Sequence, residues 1–182
     1  IQTVIHDLAS LVWPVECLWC GRPDRDWCAA CNEDFKERCG AMELYVTGRS
    51  HGRWWVSGSY VGQRQRLISA MKHGGRTALA SPLGYSLSFS LATLLHGADH
   101  PLIVPMPSRA SRVRERGYRH MELILKRAIP HTERLLGYRI PKWKEGLKLL
   151  EALPGRTGQV GLGPGDGIKM RNASGSTDGT IF

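Results

Sequence analysis

The chain has 182 residues, of which 42% are hydrophobic and 23% charged. That balance fits one domain, or one domain with a small appendage, and excludes wholesale disorder. The formal net charge of +9 favours polyanionic partners such as nucleic acid, nucleotide phosphates or an anionic membrane surface, and is silent about the fold.

Residues 1–13 are apolar but carry His6 and Asp7, with no basic leader and no cleavage signature. No signal peptide is predicted, and a cytoplasmic location is expected. Val4, Ile5, Leu8, Leu11 and Val12 share one helical face, which reads as a short helix packed on the domain rather than on a membrane. No run is expected to reach the roughly 18 apolar residues of a membrane span. Because the chain begins at Ile1, it is expected to be a fragment or a processed product.

Cys17, Cys20, Cys28 and Cys31 follow, spaced C-x2-C-x7-C-x2-C. Each C-x2-C turn brings two thiolates onto one ion, and two turns complete a tetrahedron. Thiolates are soft donors, so the set selects zinc or an iron–sulfur cluster over hard cations. Four thiolates leave no position for water, so the expected zinc is structural. Disulfides are the alternative, disfavoured because nothing marks the chain as secreted. A redox pair is disfavoured because each C-x2-C stands beside another. Cys39 is left over as a free thiol. Trp19 and Trp27, with Arg22, Arg25, Lys36 and Arg38 nearby, suit either packing against the metal-held segment or stacking on a nucleic-acid strand. Residues 1–40 are therefore read as a helix and a zinc finger, and 41–182 as a second unit.

In that second unit, residues 54–61 suit a strand or hairpin. Leu67, Ile68 and Met71 lie at helical spacing, and Lys72-His-Gly-Gly-Arg76 ends that helix. Leu83, Leu87, Leu91, Leu94 and Leu95 form a core-facing helical stripe. Residues 101–107, Pro-Leu-Ile-Val-Pro-Met-Pro, read as a buried strand entering a loop. Residues 108–117 read as a basic loop bearing Arg109, Arg112, Arg114 and Arg116. A helix over 121–136 is expected, interrupted near Pro130. Helix, strand, loop and helix in that order predict an α/β fold with a parallel sheet. From Pro154 the glycines become dense, which marks a mobile loop.

In an open α/β sheet, ligands bind beyond the carboxyl ends of the strands. Arginines in such a loop offer paired donors to phosphate oxygens. Gly117 supplies a conformation that a side chain would oppose. A solvated basic loop without a ligand is the alternative.

Together, Pro14-Val-Glu-Cys-Leu-Trp-Cys-Gly21, Cys28-Ala-Ala-Cys31, Tyr60-Val-Gly62, Met71-Lys-His-Gly-Gly75, Val104-Pro-Met-Pro107, Arg114-Glu-Arg-Gly-Tyr118, Gln159 and Arg171-Asn172 resemble the ComF family. These are phosphoribosyltransferase-like proteins linked to DNA uptake in natural competence. The resemblance implies a type I phosphoribosyltransferase-like parallel sheet behind a small four-cysteine zinc finger. It places Lys72, Ser108, Arg109, Arg112, Arg116 and Gly117 near pyrophosphate, and Arg156, Gln159 and Arg171 on a flexible loop that closes over the site. It implies single-stranded DNA and a competence helicase-type protein as partners. Magnesium would enter only with phosphoribosyl pyrophosphate in a full-length protein.

Two positions depart from the pattern. Arg119-His120 stand where the family has Asn-Gln. The family fold's acidic pair and Thr/Gly loop, which hold ribose and the 5-phosphate, have no counterpart, and the nearest string is Ser174-Gly-Ser-Thr-Asp-Gly-Thr180. The expectation is an incomplete domain that binds pyrophosphate but is not competent alone as an enzyme. Phosphoribosyl transfer to a nucleobase or related small molecule, and a zinc-organised nucleic-acid module without catalysis, are the rival functions.

Overall fold

The computed structural model describes residues 15–23, 25–44, 54–99, 101–106 and 108–140, and the backbone of 168–169 and 180–181. The expected helix over the first 13 residues and the glycine-rich loop with Arg156, Gln159 and Arg171 lie outside them.

Helix α1 (Ala29–Glu37) begins at Cys28, whose extended backbone serves as its N-cap. Strands β1 (Met42–Leu44) and β2 (Trp54–Val56) pair antiparallel, with Met42 opposite Val56. Helix α2 (Gly62–His73) follows, and Gly74 ends it as its N–H donates to the Ala70 carbonyl. A 3-10 turn (Thr77–Leu79) leads into α3 (Ala80–Leu95). Short α4 (Ala110–Arg116) and long α5 (His120–Leu136) complete the helices. Strands β3 (Ile168–Lys169) and β4 (Thr180–Ile181) form a second antiparallel pair.

The main core joins Phe35 of α1, Leu67 and Met71 of α2, Leu79, Ala80 and Leu83 around the start of α3, and Ile124 of α5. Leu67 and Leu79 are completely buried, and burying each such side chain contributes about 2 kcal/mol before entropy is counted. A second cluster joins Leu95, Ile103, Leu125, Ile129 and Ile140. Both clusters use α5, whose buried Ile124, Leu125, Ala128, Ile129 and Thr132 recur at helical spacing.

Helices α3 and α5 pack closely because Gly84 has no side chain. A β-carbon there would lie 2.6 Å from Arg127 Cβ, 2.9 Å from the Ala128 nitrogen and 2.9 Å from the Ile124 oxygen. The buried serines of α3 are satisfied rather than stranded. Ser90 bonds Ser57 Oγ at 3.0 Å, Ser86 donates to the Ser57 carbonyl at 3.4 Å, and Ser88 donates to Tyr85 O at 2.6 Å. Thr77–Leu95 is long and apolar enough to cross a membrane by length and composition alone, its most apolar window having a mean hydropathy of 1.3. Half of that stretch is buried in the protein, so its apolarity is accounted for as core.

Several expectations change. Helix α5 runs unbroken through Pro130. Pro130 is exposed while the neighbouring Ala128, Ile129 and Thr132 are buried, so packing on α3 outweighs the lost N–H. Leu94 of the predicted stripe is 42% exposed, whereas Leu95 is buried. Residues 108–117 are not a loop, since seven of them form α4.

The parallel sheet is not seen among the described residues, where both ladders are antiparallel pairs. Residues 101–106 run without a ladder, Ile103 and Pro105 buried and Leu102, Val104 and Met106 exposed. That alternation suits a strand with one face on α3 and α5. A parallel strand is completed only by distant partners, which local pattern does not name.

Candidate metal centre and basic cluster

The sulfurs of Cys17, Cys20, Cys28 and Cys31 all lie within 4.8 Å of one another. Two short structures converge them. In the first, the Gly21 N–H donates to the Cys17 carbonyl, the Cys17 N–H donates to Arg22 O, and Glu16 bridges Pro23. In the second, Cys28 caps α1 and Cys31 sits in its first turn, one helical turn along.

The donor set fits a tetrahedral ion. A zinc–sulfur bond of about 2.3 Å implies sulfur–sulfur edges near 3.8 Å, and Cys20 Sγ stands 3.6 Å from Cys28 Sγ. That separation is far beyond a disulfide bond, and all five cysteines are free. Cys17, Cys28 and Cys31 are buried while Cys20 reaches solvent, which gives an ion a route of entry.

The electrostatics favour thiolates at the turns. Burial opposes ionisation of Cys17, but N–H donors from Cys20, Cys28 and Trp19 outweigh it and draw that thiol down to about 6. The Cys31 backbone likewise lowers Cys28. Cys31 itself is pushed up by burial and then by the three neighbouring thiols. Four sulfurs this close cannot all carry charge without a cation among them.

The cysteine segment is fixed to the helices. Arg76 pairs with Asp26 at 3.4 Å and donates to the Glu16 carbonyl at 3.0 Å. Gln63 donates to Asp34 at 2.8 Å. Trp27 meets Phe35 edge to face at 6.0 Å, so it packs inward. Trp19 is 39% exposed with Arg66 stacked over it at 5.0 Å. The leftover Cys39 donates its thiol to the Phe35 carbonyl at 3.2 Å.

The predicted phosphate residues divide into two sets. Arg109, Arg112 and Arg114 are exposed, and Arg112 pairs with Glu115 at 2.8 Å. Because α4 is helical, Arg109, Arg112 and Arg116 fall on one side and Arg114 on the other. Gly117 takes a left-handed φ of 79° and ends α4, its N–H donating to Val113 O. Turning there brings Arg116, half-buried, to 2.9 Å from His120 Nδ1, which also meets Ser108 Oγ at 3.2 Å. The Tyr118 hydroxyl bonds the Met71 carbonyl and holds the end of α2 against this turn. Burial first, then the charges of Arg116 and Lys72, hold His120 below its ordinary value, so Lys72 lies within electrostatic reach.

His120 is the residue that sequence reasoning missed. Its spacing of four from Arg116 was the available signal, but the partners that define it come from three segments.

No family model, curated protein or solved structure matches the chain.

Proposed function

We propose that this chain is a ComF-like protein. A structural zinc ion held by Cys17, Cys20, Cys28 and Cys31 organises its N-terminal segment. The helices form part of a phosphoribosyltransferase-like domain in which residues 101–106 supply a strand of a parallel sheet. The protein handles single-stranded DNA during DNA uptake, in the cytoplasm and alongside a helicase-type partner. The observation that carries this reading is the convergence of the four sulfurs within 4.8 Å on a segment anchored to helices that also present a basic cluster. The exposed Arg109, Arg112 and Arg114 offer a surface for a phosphate backbone, and Trp19 offers a ring for base stacking.

Fluorescence anisotropy with a single-stranded oligonucleotide tests it. Affinity should fall steeply with salt, by about 0.7 log units per phosphate contacted for each tenfold rise. Arg112→Ala should weaken all sequences alike and flatten that slope, since phosphate contacts carry no base information. Binding that ignores salt would refute the backbone-driven mode.

A second reading, phosphoribosyl transfer, is favoured by the compactness of Lys72, Ser108, Arg116 and His120. Titration calorimetry with magnesium separates the two. Phosphoribosyl pyrophosphate should bind no tighter than pyrophosphate, because the sequence shows no acidic pair with a Thr/Gly loop. Clearly tighter, magnesium-dependent binding would favour the enzyme.

A further inference from the structure

Among the described residues, His120 Nδ1 meets Arg116 NH1 at 2.9 Å and Ser108 Oγ at 3.2 Å. Guanidinium has no lone pair to offer, so Arg116 must donate and Nδ1 must accept. That fixes the ring as the neutral tautomer with its proton on Nε2. The Ser108 hydroxyl can share the same acceptor only by donating too. The ring is therefore an acceptor held between donors.

The surroundings are cationic. The charges that bear on His120 come from Arg116 at the end of α4 and Lys72 at the end of α2. On α5 itself, the Glu122 carboxylate is paired with Lys126 at 2.9 Å. Lys72, Ser108, Arg116 and His120 are each half-buried, unlike the exposed Arg109, Arg112 and Arg114. A half-buried basic set for which no carboxylate partner is seen among the described residues suits a compact oxyanion better than a flexible strand.

We propose that Lys72, Ser108, Arg116 and His120 form a proton-gated oxyanion site, in which His120 takes up one proton as a phosphate or pyrophosphate group binds. Without an anion, the neutral ring accepts from Arg116. With one, Nδ1 gains the proton and becomes a donor, and Arg116 and Ser108 turn to the anion's oxygens. Binding and protonation are linked, so each strengthens the other. This inference rests on the basic cluster being an anion site, and it adds the proton and the residue that carries it.

Sulfate is a suitable probe because it does not itself titrate near neutrality. The His120 ring resonance, assigned by its loss in His120→Gln, is followed against pH in chloride and in sulfate at matched ionic strength. Its midpoint should rise in sulfate by about one unit, and sulfate affinity should be about fivefold higher at pH 5.5 than at pH 7.5. His120→Gln should abolish that pH dependence, and Arg116→Ala should weaken sulfate at both pH values. An unchanged His120 midpoint, with sulfate still shifting Arg116 and Ser108 equally at both pH values, would overturn the gating and leave the anion site standing. No sulfate response at any pH would overturn both. Pyrophosphate should displace sulfate at lower phosphate concentration than a single-stranded oligonucleotide does, and the reverse order would overturn the compact-anion assignment.

Discussion

The cysteine segment and the α3–α5 pair solve the same problem with different physics. In the first, the buried cluster consists of Cys17, Cys28 and Cys31, and much of the remaining surface is polar. In the second, two helices bury opposed apolar stripes and touch backbone to backbone at Gly84. One region gathers four sulfurs that could hold an ion in place of an apolar core. The other depends on shape. Helix α1 links the cysteine segment to the main core, since it carries Cys31 on one turn and delivers Phe35 into that core on the next.

The largest expected effect comes from the metal. Purified protein should hold about one zinc per chain, and structural sites of this kind carry about 10–16 kcal/mol of apparent binding free energy at neutral pH. Cys31→Ser should release zinc while leaving most helical circular dichroism. Elemental analysis finding none, together with mass-spectrometric disulfides among these cysteines, would break the comparison.

Next in size is the shape of the helix pair. Gly84→Ala should cost about 3 kcal/mol in urea unfolding, because the added carbon meets backbone atoms that cannot turn aside. Zinc content should be unchanged, and a neutral Gly84→Ala would mean that the two helices are not in close contact.

A smaller effect sharpens the electrostatic side of the helical region. Burial and then nearby cations hold both His120 and His131 below the ordinary imidazole value, with Arg116 and Lys72 acting on the first and Arg134 and Lys36 on the second. The unfolded chain therefore binds more protons than the folded one once pH falls below about 6.5. Their contribution is complete above that pH and lost as pH falls through it. The denaturation midpoint should drop between pH 8 and pH 5.5, and His131→Gln should shallow the drop. A slope indifferent to that variant would contradict the assignment.

Legibility in the sequence followed the same divide. The four-cysteine cluster was readable because ligand spacing is a local code, and the four sulfurs do converge. The α3 stripe was readable because seven-residue and shorter repeats survive in a long apolar helix. Helix α4 was not, since seven residues carrying three arginines give no apolar period. Pro130 misled because its local penalty is outweighed by burial on α3 that only the fold supplies. His120 was easily overlooked because only its four-residue spacing from Arg116 is local, while Ser108 and Lys72 reach it from other segments. The parallel sheet expected around residues 101–106 would be equally non-local, and among the described residues that segment has no strand partner.

Hydrogen exchange with and without a zinc chelator tests the central division most directly. In the cysteine segment, the amides of Leu18, Gly21 and Asn32 donate to Asp26, Cys17 and Cys28. Chelation should strip protection from these three and leave the amides along α3 and α5 nearly as slow as before. Protection lost evenly along the whole chain, or unchanged everywhere, would contradict a metal-held segment on a packing-held core.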